Sequence, residues 1–380
     1  MQPTVRQLFV AFVAVLVGVG VLMAFSASMS SRPGVSSAGY IFRHLACVAL
    51  AIPAAAIASR ISPETWRRLA PWAFFAACVL LVLVLVPGIG ARVNGARRWF
   101  RIAGLSLQPS EIMKLVLPVY LAVVLEQQRA LKRPFMSDVL RLLVPLGIVA
   151  VLCIVEPDLG SAVLLLTTGA IVLWAGGWPL KRMALAALLC SPSLLGLLFL
   201  KPYQQQRLTG FIDVWTAPER APYQIKQSLL TLGVGGWFGE GLGKGWQKLS
   251  FLPEANTDFV FSVVGEELGL IGTLGVVGAW VGVYLTGLRI LSSKHPRSLA
   301  NIVGFTWLTM LVSQAALNIC VVTALAPPKG VSHPLLSYGG TSLLVSIVIV
   351  GAFLGATREE QGSLSRELTD ADFTPTRRAA

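Results

Sequence analysis

Apolar residues fill this chain in runs long enough to cross a bilayer, and short polar connections separate one run from the next. A transmembrane helix needs about 20 predominantly apolar residues. On that measure ten spans are predicted, over approximately 8–29, 39–58, 71–87, 109–126, 141–155, 159–177, 183–200, 259–290, 300–323 and 337–356. Only Glu156-Pro157-Asp158 divides the fifth from the sixth, so that pair can also be read as one broken helix. The fold class expected is an all-α membrane protein, a polytopic bundle of about ten transmembrane helices. Residues 1–357 would form the membrane domain, with 201–258 as a large extracytoplasmic loop between spans 7 and 8. Residues 358–380 are polar and lack periodicity, which predicts a disordered cytoplasmic tail. The first apolar run is long for a signal peptide and only Arg6 precedes it, so an uncleaved first span is expected.

Composition narrows this further. Charged residues make up 13% of the chain, where a soluble protein carries about 25%, so a soluble enzyme is excluded. The net charge of +13 does not point to nucleic acid, because the basic residues are scattered over short connections without an aromatic-basic groove. Anionic membrane lipids are the natural counterpart of such loops. With the N-terminus inside, 17 of the 31 basic residues fall on the inner side, and six of those outside lie in the one long loop, which counts little. Both termini are therefore expected in the cytoplasm. The five cysteines all sit in apolar runs with no metal-ligand spacing and read as packing residues.

Three outward segments concentrate the candidate chemistry. The stretch from Asn94 to Lys114 brings Arg97, Arg98 and Arg101 together with Trp99 and Phe100. Guanidiniums at the headgroup level suit a phosphate, and they equally suit anchoring to lipid headgroups. Pro109 and Ser110 then open a helix in which Glu111 and Lys114 share a face, as an ion pair that either orders the site or is purely structural. The second segment is the long loop. Its glycine-rich run Gly233–Lys248 lacks the strand and the Gly-Lys-Ser/Thr of a phosphate loop, and reads instead as flexible backbone able to approach a bulky ligand. The loop ends in Phe251-Leu-Pro-Glu-Ala-Asn-Thr-Asp258, which puts a carboxylate where polar chain meets an apolar helix. An ionised group there costs free energy unless it has a partner or a task, so Asp258 is the leading candidate for catalysis. The third segment, Pro327–Ser342, is irregular backbone at membrane depth, which is tolerated where it lines a cavity. Lys329 and Tyr338 can hydrogen-bond a ligand there, the lone His333 reads as structural, and Gln314 and Asn318 are expected to bond between helices.

Taken together these segments resemble the SEDS family of bacterial integral-membrane proteins (shape, elongation, division and sporulation). The matching strings are Asn94-Gly-Ala-Arg-Arg-Trp99, Gln108-Pro-Ser-Glu111 with Lys114, Glu156-Pro-Asp-Leu-Gly160, Leu252-Pro-Glu-Ala-Asn-Thr-Asp-Phe259, Gly265-Glu-Glu267 and Leu336-Ser-Tyr-Gly-Gly340. They occur in order across residues 8–356, and Pro328-Lys-Gly330 looks more like the division members than the elongation members. The chain departs from the family pattern at Asn256, where a histidine is common, and at Ala326-Pro-Pro328 with His333.

The resemblance implies a peptidoglycan glycosyltransferase that polymerises lipid II at the outer face of the cytoplasmic membrane, at the division septum, with Asp258 as the essential acid. It implies a class B penicillin-binding protein and other division-complex proteins as partners, together with membrane lipids and no nucleic acid. For substrate binding the expected residues are Arg97, Arg98, Gln108, Glu111, Lys114, Gln247, Lys248, Lys329, Ser337 and Tyr338. A divalent cation, magnesium or manganese, is the one cofactor considered. The competing readings are a polymerase for cell elongation, a transporter or flippase of lipid-linked sugars, and a non-catalytic scaffold.

Overall fold

The computed structural model describes residues 3–29, 37–93, 95–102, 105–131, 135–188, 202–246, 252–338 and 340–358. Helices dominate: α1 (Pro3–Met29), α2 (Ser37–Ala58), α3 (Pro63–Leu83), α4 (Pro109–Leu131), α5 (Phe135–Val155) and α6 (Leu159–Ala175), then α7 (Pro202–Thr216), α8 (Tyr223–Val234), α9 (Val260–Leu291), α10 (Leu299–Val322) and α11 (Gly340–Ala356). Five of these (α1, α2, α3, α9 and α10) hold segments long and apolar enough to cross a membrane, and α5, α6 and α11 contribute shorter apolar segments. The helices expected at the fifth and sixth spans are separate and pack on each other. Asp158 makes the break by capping α6, its carboxylate accepting the Ser161 N–H. The seventh predicted span, 183–200, lies mostly outside the described residues, which show a helical run over 180–188.

Three features differ from the sequence expectation. Helix α3 starts at Pro63, ahead of the predicted 71, because Ser62 caps it through the Thr65 N–H. Its first turns carry Glu64, Arg67 and Arg68 at the water boundary, and apolar runs report only the part of a helix that lies in lipid. Between α3 and α4 the chain forms a small antiparallel sheet of β1 (Ala91–Val93), β2 (Ala96–Ile102) and β3 (Leu105–Leu107), in the order β1-β2-β3. The long loop is also not mainly irregular, since it holds α7, α8 and a short 3-10 turn, Pro218–Arg220.

The glycine-rich run has a structural task. Helix α9 is broken at Gly269, whose φ of 66° only glycine adopts readily. The break frees backbone groups, which lipid would leave unsatisfied. Residues 236–241 supply the partners: the N–H groups of Glu240 and Gly241 donate to the carbonyls of Glu266 and Glu267, and the carbonyls of Gly236 and Trp237 accept from Leu270 and Ile271. A Cβ on Gly239 would stand 2.2 Å from the Glu267 oxygen, so the contact needs glycine. The backbone that this run approaches so closely is that of α9.

Both ends of the described chain meet at one end of the bundle, where the Arg6 guanidinium donates to the Thr357 carbonyl at the foot of α11. The start of α11 lies at the other end, where the Tyr338 N–H bonds the Asn256 carbonyl. The loops before α4, α6, α9 and α11 all gather there.

Candidate active site

Asp258 closes the turn that leads into α9 and is half-buried, while Phe259 and Val260 behind it are buried. Two loops are stitched together to hold it. On α10, Asn318 donates from Nδ2 to the carbonyl of Asp258 at 2.7 Å and to that of Val331 at 2.8 Å. One turn earlier, Gln314 donates to the Ser332 carbonyl at 2.9 Å. Ser337 Oγ donates to the Thr257 carbonyl and accepts the His333 N–H at 2.7 Å. The Asp258 carboxylate consequently faces Gly330, an exposed residue on which a Cβ would lie 3.1 Å from Oδ2.

The charges around this carboxylate set its proton affinity. Burial pushes its pKa up from the ordinary 3.8 to about 7, and the carboxylate of Glu254 adds to the rise. The guanidinium of Arg207 opposes it, Asp158 raises it further and Arg98 lowers it again. A carboxylate poised near neutrality is suited to accept a proton at physiological pH. Lys329, next in sequence to Gly330, has its pKa lowered by burial and by the nearby Arg207. Arg207 in turn donates to the Pro328 carbonyl at 3.1 Å, so one arginine reaches both the acid and the lysine loop.

Of the residues expected to bind substrate, the structure brings some to Asp258 and gives others a supporting place. Arg98 is brought there: it donates to the Glu156 carbonyl at 2.9 Å and to that of Pro157, spanning the α5–α6 turn. Arg97 is not, because neighbouring residues of β2 point to opposite faces and its guanidinium turns to the Leu85 carbonyl. The expected Arg97–Arg98 phosphate grip is therefore divided. Gln108 is buried and donates to Asp158 at 2.9 Å, and Asp158 also accepts from the N–H and hydroxyl of Ser161. Glu111 and Lys114 form a buried ion pair at 2.6 Å, and Lys114 continues to Gln314 at 3.0 Å. Ser337 is buried, and Tyr338 stacks on His44 with ring centroids 5.9 Å apart. Gln108, Glu111, Lys114, Ser337 and Tyr338 thus support the two loops. Gln247 and Lys248 lie outside the described residues.

His333 is structural, as expected. It is buried, accepts from Trp280 Nε1 at 3.3 Å and is held neutral, with its pKa pushed down to about 3 by burial. Arg207, Glu254 and Asp158 join the site beyond the sequence expectation. Glu254 and Asp158 stand in the motifs Leu252–Phe259 and Glu156–Gly160, but nothing in the sequence places Arg207 beside Asp258.

Fold and rim together define a multi-pass helical membrane protein whose half-buried acid opens among cations at one end of the bundle. The sequence model of the FtsW/RodA/SpoVE family, described as cell cycle protein, matches residues 6–362. The chain belongs to this family. A relative from Coxiella burnetii, named probable peptidoglycan glycosyltransferase FtsW, is 38% identical over 353 residues, covering 91% of this chain and 94% of its own. A protein of the same name from Geobacter sp. is 35% identical over 346 residues, 90% of this chain and 94% of its own. Among solved structures, a chain of a peptidoglycan synthase complex that coordinates polymerization and crosslinking superposes with a TM-score of 0.73 at 28% identity, covering 92% of this chain and 96% of that one. The rod shape determining protein RodA of Thermus thermophilus gives 0.67 at 28% identity, covering 92% and 95%.

Proposed function

We propose that this protein polymerises lipid II into glycan strands at the outer face of the cytoplasmic membrane, with Asp258 as general base. The observation that carries the reading is the placement of one half-buried carboxylate, raised to about 7, against an exposed glycine and between arginines. Lipid II bears an α-linked sugar on a pyrophosphate and the product bond is β-1,4, so a single in-line displacement inverts the anomeric carbon. The acceptor 4-hydroxyl oxygen attacks C1 as its proton passes to the Asp258 carboxylate, and the bond from C1 to the pyrophosphate oxygen breaks. Pyrophosphate leaves as a stable anion, so charge neutralisation serves it better than a second carboxylic acid, which glycosidases require. Arg207, Arg98 and Lys329 are the cations at hand.

Among the described residues no group of three or more His, Cys, Asp or Glu is arranged to hold a metal. Magnesium needs only one or two carboxylates when phosphate oxygens and waters complete its shell, and the exposed Glu254 carboxylate beside Asp258 would supply one while Asp258 stays free to take the proton. When bound, such a cation would neutralise charge on the pyrophosphate.

The FtsW relatives support a role in cell division at the septum. The synthase-complex neighbour supports a class B penicillin-binding protein as partner. The acid would face outward and both termini inward, in keeping with the basic residues of the inner connections. Purified protein with such a partner and lipid II, in detergent where translocation has no meaning, is expected to yield glycan strands. Lipid II left as monomer would sink the polymerase reading and favour transport.

A further inference from the structure

Helices α7 and α8 enclose an apolar groove of about 410 Å³ that the catalytic reading leaves without a task. Val214 lines one side, and Leu229, Leu230, Gly233 and Val234 line the other, with Lys226 as the one cation among its described lining residues. Two observations fix what such a groove would hold. Its near end begins on the helix that carries Arg207: Val214 lies seven residues beyond Arg207 along α7, about 10 Å at 1.5 Å per residue. The indole of Trp215 anchors that stretch by donating to the Ala324 carbonyl at 3.1 Å. The far end descends, because α8 finishes against Gly265, where a Cβ on Gly235 would lie 1.9 Å from the Gly265 carbonyl oxygen. Gly265 is the sixth residue of α9, about 8 Å below Val260 at its start and so in its second turn. The groove therefore begins about 10 Å along α7 from Arg207 and ends beside the second turn of α9.

We infer that this groove holds the polyprenyl chain of the lipid-linked substrate while its pyrophosphate sits among Arg207, Arg98 and Lys329. The inference rests on the lipid II reading and extends it to the tail. An isoprenoid has no hydrogen-bonding groups, so it needs what this slot offers, apolar walls and a path into lipid. Lys226 complements an anionic lipid at the mouth. A water-soluble protein segment would not suit a channel whose deep end lies at the level of the second turn of a membrane-crossing helix.

Gly233→Leu supplies the test, since a Cβ at Gly233 meets nothing within 4 Å and leucine is a better helix former than glycine. The added side chain enters the slot from a position where its Cβ has open space. With the partner and full-length lipid II, its KM is expected to rise about tenfold, equivalent to losing the burial of about two methylene groups. With a short-chain analogue whose tail ends before Val214, Gly233→Leu and wild type should have equal kcat/KM. An unchanged KM for full-length lipid II would overturn the groove assignment while leaving polymerisation intact. Absence of strands from wild type with either substrate would instead remove the function on which it rests. A second measurement does not depend on the variant: a polyprenyl pyrophosphate carrying a diazirine on its chain, in nanodiscs of wild-type protein, should label residues between 214 and 234. Equal labelling of that segment by a diazirine phospholipid would mark a bulk-lipid surface and overturn the proposal.

Discussion

Asp258→Asn is expected to insert and fold like the wild type and to lose lipid II polymerisation by at least ~100-fold, the lower end of what a general base contributes. The amide keeps the size of the side chain and the backbone bond from Asn318, so the turn into α9 is preserved. It cannot accept the acceptor's proton. The same change should stabilise the fold, and the sign follows from the raised pKa. Between the ordinary 3.8 and about 7 the folded state holds a proton that the unfolded chain has released. Stability contributed by this group is therefore full below 3.8, falls as pH rises through that window and stays low above 7. Asparagine carries no such penalty, so the variant's apparent Tm should exceed that of wild type by about 2–5 °C at pH 8 and converge with it toward pH 4. Thermal unfolding in detergent at both pH values checks this, and a variant less stable than wild type at pH 8 would refute the burial argument.

Lys114→Met is expected to be among the most damaging single changes in the membrane interior. It leaves Glu111 buried without its cation, which costs about 3–5 kcal/mol when a buried pair is broken from one side. The loss travels, because Lys114 also holds the Gln314 oxygen while the Gln314 amide holds the loop at Ser332. Activity should fall with stability although Lys114 lies away from the reacting atoms. The double variant Glu111→Leu with Lys114→Met removes both charges and should recover most of the stability, since an apolar pair of similar volume is tolerated in place of a buried ion pair. Recovery of fold without full recovery of rate would separate the loop-positioning task from simple packing. A double variant no more stable than Lys114→Met would contradict it.

How much was legible in the sequence varies with how local the cause is. The membrane spans could be read because hydrocarbon thickness imposes a length that soluble helices need not obey. Asp258 could be read because an acid at an apolar boundary has a cost that demands a reason. Helices α7 and α8 were hidden within a polar loop, since their apolar faces alternate with Gln, Arg and Lys and never make a long run. The strands at 91–107 were hidden because Ala-Arg-Arg-Trp-Phe-Arg-Ile, the sequence of β2, does not alternate polar with apolar residues. The two-residue period of a strand is also why Arg97 and Arg98 part company. Arg207 and Asp158 come to Asp258 only because α7 and the start of α6 both meet the loop 328–331, which no linear spacing reports. The resemblance implies substrate binding for Ser337, Gln108 and Lys114, whereas their polarity is used in tying the loops of the site together.

The central claim, that Asp258 is the proton acceptor, is tested most directly by the pH dependence of kcat/KM for strand formation in wild type and Asp258→Asn. For wild type the logarithm of the rate should climb with unit slope and level off near pH 7, as the carboxylate ionises. The variant's residual rate should be flat across the same range. A variant that keeps the wild-type acid limb, or a wild type without one, would place the base elsewhere.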